Sequence, residues 1–161
     1  ALTLRWIAIA GGVALLAACA TPHAQPPKAG AEAAASAFLA AFNALDKRAF
    51  DAHFADEVTM FFPDGPFPLE RIEGKPAVTA AFHRFFDMAK ARGATRLSIL
   101  PSDLVVQTYG DTAIASFELA GDDALGRRSL VMRHGAGGWK IVHFHASRRE
   151  RPKQFRSGIM P

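Results

Sequence analysis

The sequence predicts an α+β domain, with two or three helices first and a long antiparallel sheet after them. Three observations carry that prediction. In residues 31–54 and 76–92 the large apolar residues recur at spacings of three and four, the period of a helix packed along one side. From residue 96 onward the period becomes two, and the runs are divided by short turns at Gly110-Asp111, Gly121-Asp122-Asp123 and residues 135–138, which favours antiparallel neighbours. The last run, Gly138-Trp139-Lys140-Ile141-Val142-His143-Phe144-His145-Ala146-Ser147, is largely apolar on both faces, as a strand inside a covered sheet must be. Strict alternation there puts Trp139, Ile141, His143, His145 and Ser147 on one side and Lys140, Val142, Phe144 and Ala146 on the other. A chain of 161 residues, half of them hydrophobic and 21% charged, is enough for one such domain with appendages.

Taken in order, the chain opens with Arg5 and an apolar run over residues 6–18, the length of a signal-peptide core and short for a bilayer span. Residues 1–18 are read as that signal peptide. Residues 20–30 are rich in proline and small side chains without apolar periodicity and read as a tether. From Ala31 an alanine-rich helix carries Phe38, Phe42 and Leu45 on one stripe, and Asn43 and Asp46 end it. Asp46 suits the cap of a second, short helix with Ala49, Phe50, His53 and Phe54 on its apolar side; His53 there reads as a packed histidine at the core edge. Val58-Thr59-Met60-Phe61-Phe62 has strand composition and is stopped by Pro63-Asp64-Gly65-Pro66.

Residues 70–73 suit an edge strand, after which Pro76 opens a third helix. Its buried line is Val78, Phe82, Phe85 and Ala89, with Phe86 beside it, His83 at the edge and Arg84 turned away; Gly93 closes it. Strands follow over residues 96–109, broken by a bulge near Pro101-Ser102, then 112–120, 127–134 and 139–147. The domain body is thus residues 31–147, followed by a basic tail over residues 148–161.

The formal charge of +4 belongs to that tail. Residues 20–147 carry 13 Lys and Arg against 14 Asp and Glu, a net of −1, whereas residues 148–161 carry 5 against 1, a net of +4. The body offers no basic face of the kind a nucleic-acid binder needs. The single cysteine, Cys19, excludes an internal disulfide. It follows Leu16-Ala17-Ala18 at the end of the apolar run, and this stretch resembles the lipobox of bacterial lipoproteins. The resemblance implies cleavage before Cys19, lipid on its sulfur, and a lipid-anchored protein of the bacterial cell envelope. Alanine at position 20, by analogy with sorting in enteric bacteria, implies the outer membrane, facing the periplasm.

Phe82-His83-Arg84-Phe85 on the third helix and Trp139-Lys140-Ile141-Val142-His143-Phe144-His145 on the last strand resemble the nuclear transport factor 2-like superfamily, in its SnoaL-like branch. The nearest echo is the association domain of calcium/calmodulin-dependent protein kinase. The resemblance spans residues 32–147. It implies a cystatin-like cone, a curved antiparallel sheet wrapped round the N-terminal helices with a pocket between them and an outer face used for dimerisation. In the kinase domains arginines line that pocket together with the histidine of the helix motif. The histidine is kept as His83, while the arginine positions fall at Glu118, Leu130 and Ala146.

Glu118 alternates with Ser116 and Ile114 on one strand face, opposite Ala113, Ala115, Phe117 and Leu119. In the family's register it faces the pocket and could serve as a general base or acid with His83 opposite; the other reading pairs it with Arg127, Arg128 or Arg133 across a turn. His143 and His145 have a spacing that can place two imidazoles on one metal, but a third ligand is not evident and a hydrogen-bonded role is preferred. Asp103 and Tyr109 lie where they could reach the cone or serve as bulge and turn residues. No triad order or phosphate loop is present, and no cofactor is implied.

The resulting expectation is an envelope lipoprotein whose domain binds a small hydrophobic molecule, neutral or cationic, among Phe62, Phe82, His83 and Glu118, or serves as an assembly module. A homodimer through the outer face, around Trp139, Ile141 and His143, goes with it. The alternative is a small isomerase or dehydratase moving a proton on a hydrophobic carbonyl compound.

Overall fold

The computed structural model describes residues 28–63, 67–68, 70–120 and 124–150, the side chain of Glu150 aside. Cys19, most of the tether and most of the basic tail lie outside the described residues. Helices α1 (Lys28–Asn43) and α2 (Lys47–Asp51) precede β1 (Phe54–Phe61), β2 (Ile72–Glu73) and helix α3 (Lys75–Ala91). Strands β3 (Ser102–Tyr109), β4 (Thr112–Ala120), β5 (Ala124–Gly135) and β6 (Gly138–Glu150) complete the domain. They form one six-stranded sheet in the order β2-β1-β6-β5-β4-β3. The α+β class and the meander from β3 to β6 agree with the sequence reading.

Several details differ. β1 runs parallel to β6, so the sheet is mixed rather than wholly antiparallel. α1 begins at Lys28, inside the stretch read as tether, and β6 continues to Glu150, past the boundary placed at residue 147. Residues 96–101 are not strand; β3 starts at Ser102, and the irregularity lies between Ser102 and Val105, where Asp103 takes a left-handed φ of 55°.

The largest difference is in β6. Met132 pairs with Ile141 but Val131 pairs with His143, so Val142 is an extra, bulged residue. The bulge moves the alternation by one step. Ile141, Phe144 and Ala146 are buried on the inner face, while His143 and His145 point to the outer one. Trp139, expected beside His143, packs instead against the core margin and meets His134 edge-on at 5.2 Å. The dimer patch proposed around Trp139, Ile141 and His143 therefore does not exist as such.

Helix ends show why the chain folds as it does. Asp46 caps α2 as expected, its carboxylate accepting the Ala49 N–H at 3.0 Å. Gly93, at φ 87°, closes α3, with its N–H on the Lys90 carbonyl and that of Ala94 on the Ala89 carbonyl. α1 ends in the same paired motif: Leu45 N–H reaches the Phe42 carbonyl and Asp46 N–H the Ala41 carbonyl. There the left-handed residue is Leu45, at φ 53°. A non-glycine residue costs about 1–2 kcal/mol in that conformation; burial of the Leu45 side chain to 1% exposure returns a similar amount.

The core lies between the inner sheet face and the helices and is built on phenylalanine. Phe50 sits at its centre, 4.8 Å from Phe82 and 5.1 Å from Phe38, Phe54 and Phe86 between ring centroids. Each such pair contributes about 0.5–1.5 kcal/mol beyond its buried area. On α3 the fully buried line runs through Val78, Phe82 and Phe86, leaving Phe85 only partly covered.

Candidate functional site

Between α1, α3 and the sheet the domain leaves a cavity of about 190 Å³. Phe38, Leu39 and Phe42 of α1 form one wall, Phe82 and Phe85 of α3 a second, and Phe117 and Leu119 of β4 with Phe144 of β6 the floor. Phe62, just beyond β1, stacks on Phe144 at 5.9 Å and 9°, and Ile99 closes a side. The one charged group among these lining residues is Arg128 of β5.

Ile99 holds its place through Asn43, the last residue of α1. The Asn43 amide donates from Nδ2 to the Ile99 carbonyl at 2.9 Å and accepts the Ile99 N–H on Oδ1 at 3.0 Å, while its backbone carbonyl accepts the Leu97 N–H at 2.7 Å. A side-chain amide thus replaces a strand partner for a segment that has none in the sheet.

Of the residues expected to line the cone, Phe62 and Phe82 do so; His83 and Glu118 do not. One residue along a helix turns the side chain by about 100°. With Phe82 aimed into the cavity, His83 faces α2, where its Nε2 meets Asp51 Oδ1 at 2.8 Å. Glu118 is sent outward by the period of two, because Ala113, Ala115 and Phe117 are the buried residues of β4. Its register partner across the turn is Arg127, so base and acid candidates stand on different surfaces of the domain.

Arg128 is the group the sequence reading undervalued. The same alternation that buries Leu130 and Met132 places Arg128 on the inner face, two residues before Leu130. Its Nη1 donates to the carbonyls of Arg127 at 2.9 Å and Ser147 at 3.1 Å, and its Cζ lies 5.2 Å from the Phe62 ring centre, a cation–π distance. Gly126 leaves the space for this: a Cβ there would come within 3.1 Å of Nη1. Leu130 and Ala146, the other positions matched to family arginines, are buried at 0% and 3% exposure. Ala146 is the strand neighbour of Arg128.

On the outer face, Gln107, Ile114, Val131, His143 and Thr59 succeed one another across five strands, and Val105, Ser116, Ser129, His145 and Phe61 form the adjoining row. His143 Nδ1 and Thr59 Oγ1 are 2.7 Å apart. Partial burial, with His145 and Arg71 nearby, holds the His143 imidazole below the usual histidine value. Among the described residues no group of three metal-ligating side chains assembles around the two histidines. His53 packs edge-on against Phe38 at 6.0 Å; burial, then Lys140, lower its pKa. Asp103 is exposed at the β3 irregularity, and Tyr109, 60% exposed, accepts from Gln107 Nε2 at 3.2 Å. Neither reaches the cavity.

The sequence profile of the SnoaL-like domain family matches residues 31–149. A cystatin-like fold protein from Burkholderia xenovorans is similar at 25% identity, over 78% of this chain and 93% of that one, with a TM-score of 0.62. The CaMKII hub of S. rosetta is similar at 26% identity, over 77% and 98%, with a TM-score of 0.59. A putative dehydratase of the NTF2-like family from Streptomyces avermitilis shares the fold at 20% identity, over 76% and 96%, with a TM-score of 0.62. No curated protein matches the chain.

Proposed function

The chain belongs to the SnoaL-like domain family, and on that premise we propose that it is a binding module which holds one small hydrophobic molecule in its aromatic cone. The observation that supports this is the cavity itself. An apolar cavity of roughly 150 Å³ accepts benzene, and this one, at about 190 Å³, suits a single substituted ring between Phe42, Phe62, Phe82 and Phe144. The alternative, proton transfer by an isomerase or dehydratase, draws only on likeness of fold, which does not carry activity. The pair named for it, His83 and Glu118, stands outside the cavity.

We also read the protein as a lipoprotein of the bacterial envelope, anchored through Cys19 at the outer membrane and facing the periplasm. Leu16-Ala17-Ala18-Cys19 at the close of a short apolar run supports that reading. Eight residues separate Cys19 from Lys28, a tether of at most roughly 30 Å. Association into a homodimer through the outer face is part of the same proposal.

Titration of the full chain with benzyl alcohol, followed by NMR of the aromatic side chains, tests the binding reading. Saturable shifts at Phe42, Phe82 and Phe144, abolished by Leu119→Trp, are expected. Shifts that do not saturate, or that survive the cavity-filling substitution, would overturn it.

A further inference from the structure

We infer that His143 and His145 are half of a metal site for an imidazole-preferring divalent ion such as zinc. A second copy of the chain completes it, bringing the same two imidazoles across the outer face of the sheet. This is independent of what fills the cone; it rests on the homodimer through the outer face and adds a bound ion to it. Residues two apart on a strand share a face, and the bulge at Val142 leaves that relation intact because it precedes both histidines. Buried Phe144 between them turns inward, so both rings stand on the side away from the core.

The two ring centres are 6.4 Å apart. Imidazoles bound to one ion at about 2.0–2.1 Å from nitrogen have ring centres about 5 Å apart, so roughly 1 Å of closure is needed, which the exposed His145 can make by a small swing of its side chain. His143 is fixed on its other side. Its Nδ1 lies 2.7 Å from Thr59 Oγ1, and with the ring proton donated there the Nε2 lone pair is left for a metal, as an outer-shell partner arranges a ligating histidine. Phe61 meets both rings edge-on at 6.1 Å and limits their tilt. The cation beside His143, Arg71, is paired with Glu73, whose strand partner is Thr59, so the patch sets little net charge against a divalent ion. Among the described residues of one chain no third ligand joins the pair. A two-fold interface sets a surface patch on its own copy, and two imidazoles from each chain make the four nitrogens of a tetrahedral site.

The test uses the full chain carrying Cys19→Ser, which removes its one thiol, stripped of metal by a chelator and titrated with zinc in calorimetry and sedimentation. Zinc should bind at one ion per two chains. At free zinc about a hundred times its dissociation constant, the apparent dimer affinity should rise about a hundredfold, because only the assembled pair binds the ion. His145→Ala should remove both effects and leave the unfolding midpoint of the metal-free chain unchanged. Thr59→Val, which keeps both ligands and loses the hydroxyl, should weaken zinc about ten- to a hundredfold. Uptake of one ion per chain, uptake that survives His145→Ala, or no uptake by a chain that is still dimeric would overturn the inference while leaving the homodimer standing. A chain that stays monomeric with and without zinc would overturn both.

Discussion

Replacing Asn43 by alanine removes both side-chain hydrogen bonds to Ile99, at 2.9 and 3.0 Å, without touching the residues that fill the core. Each bond of this kind contributes about 1 kcal/mol net, and because Ile99 is only partly covered, its freed groups regain water. The loss should therefore be about 2 kcal/mol, well short of a buried orphan pair. For a domain of this size that lowers the unfolding midpoint by roughly 6–10 °C. Amide exchange locates the effect. The Ile99 N–H loses its acceptor in the variant, whereas the Leu97 N–H keeps the Asn43 backbone carbonyl and serves as an internal control. Asn43→Asp retains an oxygen for the Ile99 N–H but turns a second one toward the Ile99 carbonyl and adds negative charge at a helix C-terminus, so it should destabilise as well. Benzyl alcohol affinity should fall with both variants as the Ile99 wall loosens. An alanine variant whose midpoint moves by less than about 2 °C, with Ile99 exchange unaltered, would refute the assignment of Asn43 as the clamp on this wall.

Burial and neighbouring positive charge hold His53 and His143 below the ordinary histidine value of 6.5, so the unfolded chain takes up these protons before the folded one as pH falls. Their contribution is complete above about pH 6.5 and is lost below it; the unfolding midpoint should rise from about pH 5 to 7, with a shallower slope in a His53→Gln, His143→Gln double variant, and an unchanged slope would exclude these two histidines as the cause. Val131→Glu, on the outer sheet face, should convert a homodimer to monomer in sedimentation without altering the unfolding midpoint by much; a wild-type monomer at high concentration would exclude that interface. Cys19→Ser should abolish lipid labelling of the chain, and labelling that persists would show that the lipobox reading is wrong.

Local interactions were legible in the sequence because the residues that make them are close along the chain. Asp46 as cap, Pro76 at a helix start, Gly93 at a helix end, the three helices and the meander from β3 to β6 all express constraints that act within a few residues. Phe82 was legible as an inward residue because it belongs to the periodic apolar line of α3, whereas the cone itself, with Phe62 in its wall, was an expectation from the family resemblance. Leu45 escaped because the left-handed cap of α1 is held by a leucine whose burial offsets the strain, and nothing local marks such a position as the glycine of α3 does.

What only the tertiary structure decided depends on contacts between distant parts of the chain. The parallel pairing of β1 with β6 joins residues more than eighty positions apart, and the bulge at Val142 is visible only once Val131 and Met132 have chosen their partners. That single extra residue reverses which side of β6 faces the core, because side chains alternate with a period of two and one inserted residue shifts the whole set. The same parity decides the site. Glu118 is one step from buried Phe117 and Arg128 two steps from buried Leu130, and the register of β4 against β5, set by Ala113, Ala115, Phe117, Leu130 and Met132 seeking the core, turns the carboxylate to the outer face and the guanidinium into the cone. Composition allowed either charge to line the cavity; the packing of the sheet on its helices put the positive one there.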